Sequence, residues 1–123
     1  MERTLTLTRT VLGAPLTARV LLTEEGVQVS LTGGTRPHIG AVSVADPTGK
    51  VSTTEFPSHR DGVLSERWAE VLTQAGLYPA VVAAGVHYDG ITKENIRAVC
   101  DASEELLQQA VQECRSVCAQ DGR

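Results

Sequence analysis

From Thr4 to Val11 the chain alternates, with threonines at 4, 6, 8 and 10 interleaved with Leu5, Leu7 and Val11. A period of two is the mark of a strand with one buried face. Leu16, Ala18, Val20 and Leu22 repeat the pattern, Glu24-Glu25-Gly26 makes a tight turn, and Val27, Val29 and Leu31 return. The loop Gly33-Gly34-Thr35-Arg36-Pro37 then leads into a fourth strand from Ile39 to Ala45. Asp46-Pro47-Thr48-Gly49 is a strong turn signal before a fifth strand over Lys50–Glu55. Four short connections in a row predict an antiparallel meander.

The period then changes. Leu64, Trp68, Val71, Leu72 and Ala75 lie on one face of a helix running from Asp61 to about Ala75, with Gly76 placed to end it. Ala80–Tyr88 is apolar on both faces, which predicts a central strand covered on both sides. Thr92 is placed to cap a last helix whose stripe runs through Ile96, Val99, Cys100, Ser103, Leu106, Leu107, Ala110, Val111, Cys114 and Val117. Such a helix, about 26 residues, is near 40 Å long. A strand of ordinary length covers only about 17–20 Å. The overhang predicts either a partner chain, hence a homo-oligomer, or fraying. The fold expected is α+β: a two-layer sandwich, its six-stranded sheet mostly antiparallel, with a strand–helix–strand unit and a long C-terminal helix. One domain spans 1–118 and a tail 119–123.

Composition narrows the function classes. The net charge is −4, and the aromatic residues are only Phe56, Trp68, Tyr78 and Tyr88. Nucleic-acid binding needs a basic stripe or stacking aromatics, so it is not expected. No apolar run approaches the roughly 20 residues that span a bilayer. The alternating start lacks the apolar core of a signal peptide, so a cytoplasmic location is expected. Cys100, Cys114 and Cys118 all fall in the last helix and read as small apolar residues of its stripe.

The chemistry sits at the strand ends. His38, His59 and His87 each lie where an apolar run meets a Gly-, Pro- or Asp-rich turn. If strand directions alternate as argued, all three emerge at one edge of the sheet. That edge is the carboxyl end of two parallel strands, the fifth and sixth, where open α/β sheets bind ligands. Both helix starts, near Asp61 and Thr92, lie there too, and their N–H groups favour anions. Arg36 and Arg60 add planar forks suited to phosphate. Gly33, Gly34 and Gly90 permit close backbone approach, while Ala83 and Gly85 either leave room for a flat ligand or let a helix sit close. Three uses stay open: a metal site with Asp89 or Asp61 as base, acid–base catalysis by one histidine beside Asp89, or simple binding of a phosphate-bearing ring. No GxSxG, HExxH or Cys–His constellation is present.

At these same positions the chain resembles the prenylated-flavin chaperone family, also called LpdD-like. The resemblance rests on Gly33-Gly34 leading to Pro37-His38-Ile39-Gly40-Ala41-Val42, on Pro57-Ser58-His59-Arg60-Asp61, and on Gly85-Val86-His87-Tyr88-Asp89. It covers about residues 26 to 108, and Ser58 stands where the family pattern has glycine. What the resemblance implies is a non-enzymatic carrier that binds prenylated FMN, in its reduced form, as cargo. It implies service to a UbiD-type decarboxylase of the gallate type, with a flavin prenyltransferase as a further partner. The cofactor-binding residues expected are Gly34, Arg36, His38, His59, Arg60, His87 and Asp89. The competing expectation is a small metal-dependent hydrolase or lyase with His38, His59 and His87 as ligands.

Overall fold

The alternating segments become strands, and the structure, a computed structural model, describes residues 2–122. They are β1 (Arg3–Val11), β2 (Ala14–Thr23), β3 (Gly26–Gly34), β4 (Ala41–Ala45), β5 (Val51–Glu55) and β6 (Ala80–His87), with helices α1 (Gly62–Gln74) and α2 (Lys93–Gln120). The fold is α+β with a six-stranded mixed sheet in the order β1-β2-β3-β6-β4-β5. β1, β2 and β3 form the expected meander. The meander stops there, because β6 inserts between β3 and β4, parallel to β3 and antiparallel to β4. The fifth and sixth strands run the same way, as expected, but they are not neighbours. Link 35–40 is what permits the insertion. A two-residue hairpin forces adjacency, whereas this link bridges the roughly 10 Å across an intervening strand.

Both helices lie on one face. α1 packs on β4, β5 and β6, and α2 packs on β1 and β2 and touches α1. Leu16, Val20, Leu22, Val29, Leu31, Val82, Trp68, Leu72, Leu106 and Leu107 are buried between the layers. The other face of the sheet is uncovered, which corrects the expectation for the sixth strand. Val81 is 40% exposed and Val44 39% exposed, because both helices are needed on the first face.

The predicted overhang of the last helix is also absent. β1 and β2 have 9 and 10 residues, so they reach about 30 Å and lie along most of the 28-residue α2. Leu106, Ala110 and Cys114 are fully buried within this chain, and Val117 and Cys118 pack against the core. The argument for a partner chain on α2 therefore falls. Helix continues through Ala119 and Gln120 of the expected tail, and Asp121 lies 3.4 Å from Arg3, while Arg123 is outside the described residues.

One polar residue on the stripe has a specific task. The Trp68 indole is fully buried and donates to Ser103 Oγ at 2.9 Å, tying α1 to α2. Ser103→Ala leaves that donor without a partner and should lower stability by about 1–3 kcal/mol, measured by urea unfolding.

Candidate functional site

The carboxyl ends of the parallel pair β3 and β6 meet with Gly34 opposite His87. The link 35–40 then folds back over the end of β6. The His87 carbonyl accepts from Thr35 N at 2.7 Å, Arg36 N at 3.2 Å and Thr35 Oγ1 at 3.2 Å. Gly40 N donates to the Ala84 carbonyl at 2.9 Å. This fit depends on missing side chains: a Cβ on Gly85 would overlap the His38 carbonyl, and one on Gly34 the His87 carbonyl. The space beside Gly85 thus holds neither a flat ligand nor a helix. It holds the backbone of the histidine loop.

β5 delivers the second histidine. After β5, Phe56 N donates to the Gly40 carbonyl at 2.8 Å, and His59 N closes a turn onto the Phe56 carbonyl at 3.2 Å. Ser58 takes φ +68°, the left-handed conformation in which glycine is most at ease. The glycine of the family pattern at this position thus has a backbone reason.

Asp61 stands at the N-cap of α1, yet its side chain caps nothing there. It turns into the sheet, only 6% exposed, where Oδ1 accepts from Val86 N at 2.9 Å and Oδ2 accepts from His38 Nε2 at 2.8 Å. A Cβ on Gly40 would collide with that carboxylate. The first helical N–H, from Gly62, goes instead to Glu55 Oε2 at 3.0 Å. The first N–H of α1 is therefore taken by Glu55 and is not left for the anion expected there. At α2, Thr92 caps as predicted, accepting from Asn95 N at 3.2 Å.

His38 Nδ1 faces the Arg36 carbonyl at 3.0 Å while Nε2 faces the Asp61 carboxylate at 2.8 Å. A neutral imidazole has one N–H, so two acceptors facing the ring favour its protonated form. Burial works against the charge, but the Arg36 carbonyl and the Asp61 carboxylate outweigh it and hold the His38 pKa above its usual 6.5. The His59 ring stacks on it at 4.6 Å and 30°. A pKa raised on folding adds stability that is complete below the unfolded value and lost as pH rises through the folded one. Chelator-treated protein should therefore melt at a lower temperature at about pH 9 than at about pH 6, and His38→Gln should remove part of that difference.

His87 Nε2 lies 2.9 Å from Asp89 Oδ1, and the Arg36 guanidinium lies 3.8 Å from the same oxygen. The bonds from His87 and Thr35, with the nearby Arg36, hold the Asp89 carboxyl below the usual range.

These side chains border two adjoining cavities, the polar and apolar lobes of one candidate site. The polar lobe, about 410 Å³, is lined by Arg36, Pro37, His38, Ser58, His59 and His87. The apolar lobe, about 500 Å³, shares His38, Ser58, His59 and His87 and adds Arg60, Leu64, Val86, Ile91, Ile96 and Val99 among others. The three histidines thus come together as the strand directions required. Of the seven expected site residues, Arg36, His38, His59, Arg60 and His87 line the cavity, whereas Gly34 and Asp89 support it from behind. The apolar lobe was missed in the sequence because Ile96 and Cys100 were assigned to the packing stripe. Ile96 is 47% exposed, and exposed Cys100 also faces this cavity, since the first turns of α2 overhang it. A further cavity of about 550 Å³ at the opposite sheet edge, lined by Leu22, Tyr78 and Arg115 among others, contains no histidine.

Residues 11–115 match the family model described as the prenylated flavin chaperone LpdD-like domain. The chain belongs to this family. A relative, Protein LpdD of Lactiplantibacillus plantarum, is 33% identical over 88 residues, which is 68% of this chain and 65% of that relative. The match thus spans somewhat less than two thirds of the relative's length. The segments that carried the LpdD-like resemblance, Pro37–Val42, Pro57–Asp61 and Gly85–Asp89, are the ones that build the cavity wall or hold it in place. No helix among the described residues is long and apolar enough to cross a membrane.

Proposed function

We propose that this LpdD-like chain binds reduced prenylated FMN in the two-lobed cavity and carries it to a UbiD-type decarboxylase. The observation that carries this reading is a pair of adjoining cavities that share His38, Ser58, His59 and His87, one lined by Arg36 and the histidines and the other largely by apolar side chains. Prenylated FMN is divided in the same way, with a phosphate at one end and a fused ring system enlarged by a hydrocarbon ring at the other. Both lobes fall within the range of ordinary ligand sites, about 300–1,000 Å³. Arg36 serves the phosphate from the polar lobe. The hydrocarbon ring lies against Leu64, Ile91, Ile96 and Val99, and the stacked His38–His59 pair borders both.

The role is carriage rather than catalysis. The family model that matches is that of a chaperone, and His38 has both nitrogens committed and does not stand ready as a base. A reduced flavin reacts with oxygen, and a carrier that covers its ring system slows that loss during transfer. The reading places the protein in the cytoplasm, between a flavin prenyltransferase as source and the decarboxylase as acceptor.

The test is an anaerobic titration of metal-free protein with reduced prenylated FMN and with plain FMN. Tight binding of the prenylated form is expected, with weaker binding of FMN because the hydrocarbon ring is missing. Arg36→Ala should weaken binding by about 1.5–3 kcal/mol, the value of a charge-assisted bond to phosphate. Arg60→Ala measures whether the second guanidinium shares that load. Cofactor-loaded protein should activate apo-decarboxylase faster than free cofactor does. If neither flavin binds, the reading fails.

A further inference from the structure

His38, His59 and Asp61 each bring one ligand atom to within 4.8 Å of the other two. We propose that His38 Nε2, His59 Nδ1 and Asp61 Oδ2 form a mononuclear site for a divalent transition-metal ion of the zinc class, the ion replacing the proton between His38 Nε2 and Asp61, which is released to solvent, with its remaining positions open to the cavity. This goes beyond flavin carriage and stands on its own geometry. Two imidazole nitrogens and one carboxylate oxygen are a donor set for zinc, ferrous iron, cobalt or manganese, rather than for the all-oxygen shells of calcium or magnesium.

The three atoms lie within 4.8 Å of one another, with His38 Nε2 at 2.8 Å and His59 Nδ1 at 3.9 Å from Asp61 Oδ2. Around a tetrahedral ion with bonds of about 2.0–2.1 Å, neighbouring donors stand roughly 3.3 Å apart. Of the three pairs, His38–Asp61 must therefore open and His59–Asp61 close by about half an ångström each, and His38–His59, within 4.8 Å, must close by up to about 1.5 Å, so the two rings rotate toward the ion as it binds.

A second observation concerns the atoms that do not ligate. Metal-bound histidines characteristically give their other N–H to a carbonyl, and ligating carboxylates are themselves hydrogen-bonded. His38 Nδ1 is held by the Arg36 carbonyl at 3.0 Å, and Asp61 Oδ1 by Val86 N–H at 2.9 Å. Both anchors are backbone groups at the end of the sheet, so they orient the ligands with or without an ion. Side-chain exposure rises from 7% at Asp61 through 24% at His38 to 39% at His59. The closed side of the site thus faces the protein and the open side faces the polar lobe, where water can complete the coordination. His87 is outside the set, its Nε2 lying against Asp89. The ligand group is therefore two histidines and an aspartate, not the three histidines expected from the sequence.

The experiment uses the full chain, stripped with chelator and dialysed. Zinc is titrated calorimetrically, and cobalt is followed by its visible absorption, which reports the donor set and coordination number. One ion per chain is expected, with His59→Gln, His38→Gln and Asp61→Asn each weakening binding at least about tenfold and changing the cobalt spectrum. His87→Gln should bind as the parent does. Asp61→Asn disturbs a buried anchor and tests folding as well, so the decisive variant is His59→Gln, whose side chain is more exposed. Parent protein that binds neither metal at millimolar concentration overturns the proposal. So does a folded His59→Gln protein with the parent's affinity and spectrum, or His87→Gln losing as much as His59→Gln. Because the flavin titration is run without metal, failure here and failure of the carrier reading are separate results.

Discussion

Replacing Asp61 by Ala should lower stability by about 2–4 kcal/mol, less than the roughly 3–5 kcal/mol of a fully buried charge pair because the His38 side chain keeps 24% of its exposure. Two losses add. The His38 imidazolium loses its counter-ion, and the Val86 N–H, held by Oδ1 at 2.9 Å, loses its acceptor. An unmade buried hydrogen bond accounts for about 1–3 kcal/mol of this, and the charge for the remainder. Asp61→Asn should recover part of the loss, because its amide oxygen can still accept from Val86. Urea unfolding of parent, Asn and Ala proteins measures the series. Equal stability of parent and Ala would show that the carboxylate does not hold the end of β6.

Gly85→Ala should abolish ligand binding. The added methyl would overlap the His38 carbonyl, a backbone atom that no side-chain rotation can move aside. Either β6 or the link 35–40 must shift, at an overpacking cost of about 1–3 kcal/mol. The link is the softer of the two, fastened here by Gly40 N to the Ala84 carbonyl and by His38 N to the Gly85 carbonyl at 3.4 Å. His38 therefore moves off Asp61, and the cavity loses the residue that borders both lobes. Loss of flavin affinity in a folded Gly85→Ala protein, judged by circular dichroism and titration, is the expected result. Gly90→Ala supplies the contrast: a Cβ there meets nothing within 4 Å, so only its left-handed φ of +65° is strained, and binding should survive.

The elements, and the directions in which they run, are written in the order of residues along the chain. Period-two alternation through Leu5–Val11, Leu16–Leu22 and Val27–Leu31 marks buried strand faces, and the Leu64–Ala75 stripe marks a helix, because these patterns report local geometry. Alternating directions then require His38, His59 and His87 to share an edge, whatever the order of strands within the sheet. That is why the candidate site was legible although the sheet order was not. Only the tertiary structure decided the insertion of β6 between β3 and β4, since an apolar strand pairs equally well with several neighbours and the link 35–40 can span the gap. The turn of Asp61 into the sheet also depended on contacts distant in sequence. An aspartate at a helix start caps by default, and here the unpaired Val86 N–H and the His38 ring outbid the helix while Glu55 took its place. The apolar lobe was hidden for a similar reason. Ile96 and Val99 fall on the same stripe as Leu106 and Leu107, and periodicity cannot tell the turns of a helix that cover a core from those that overhang a cavity.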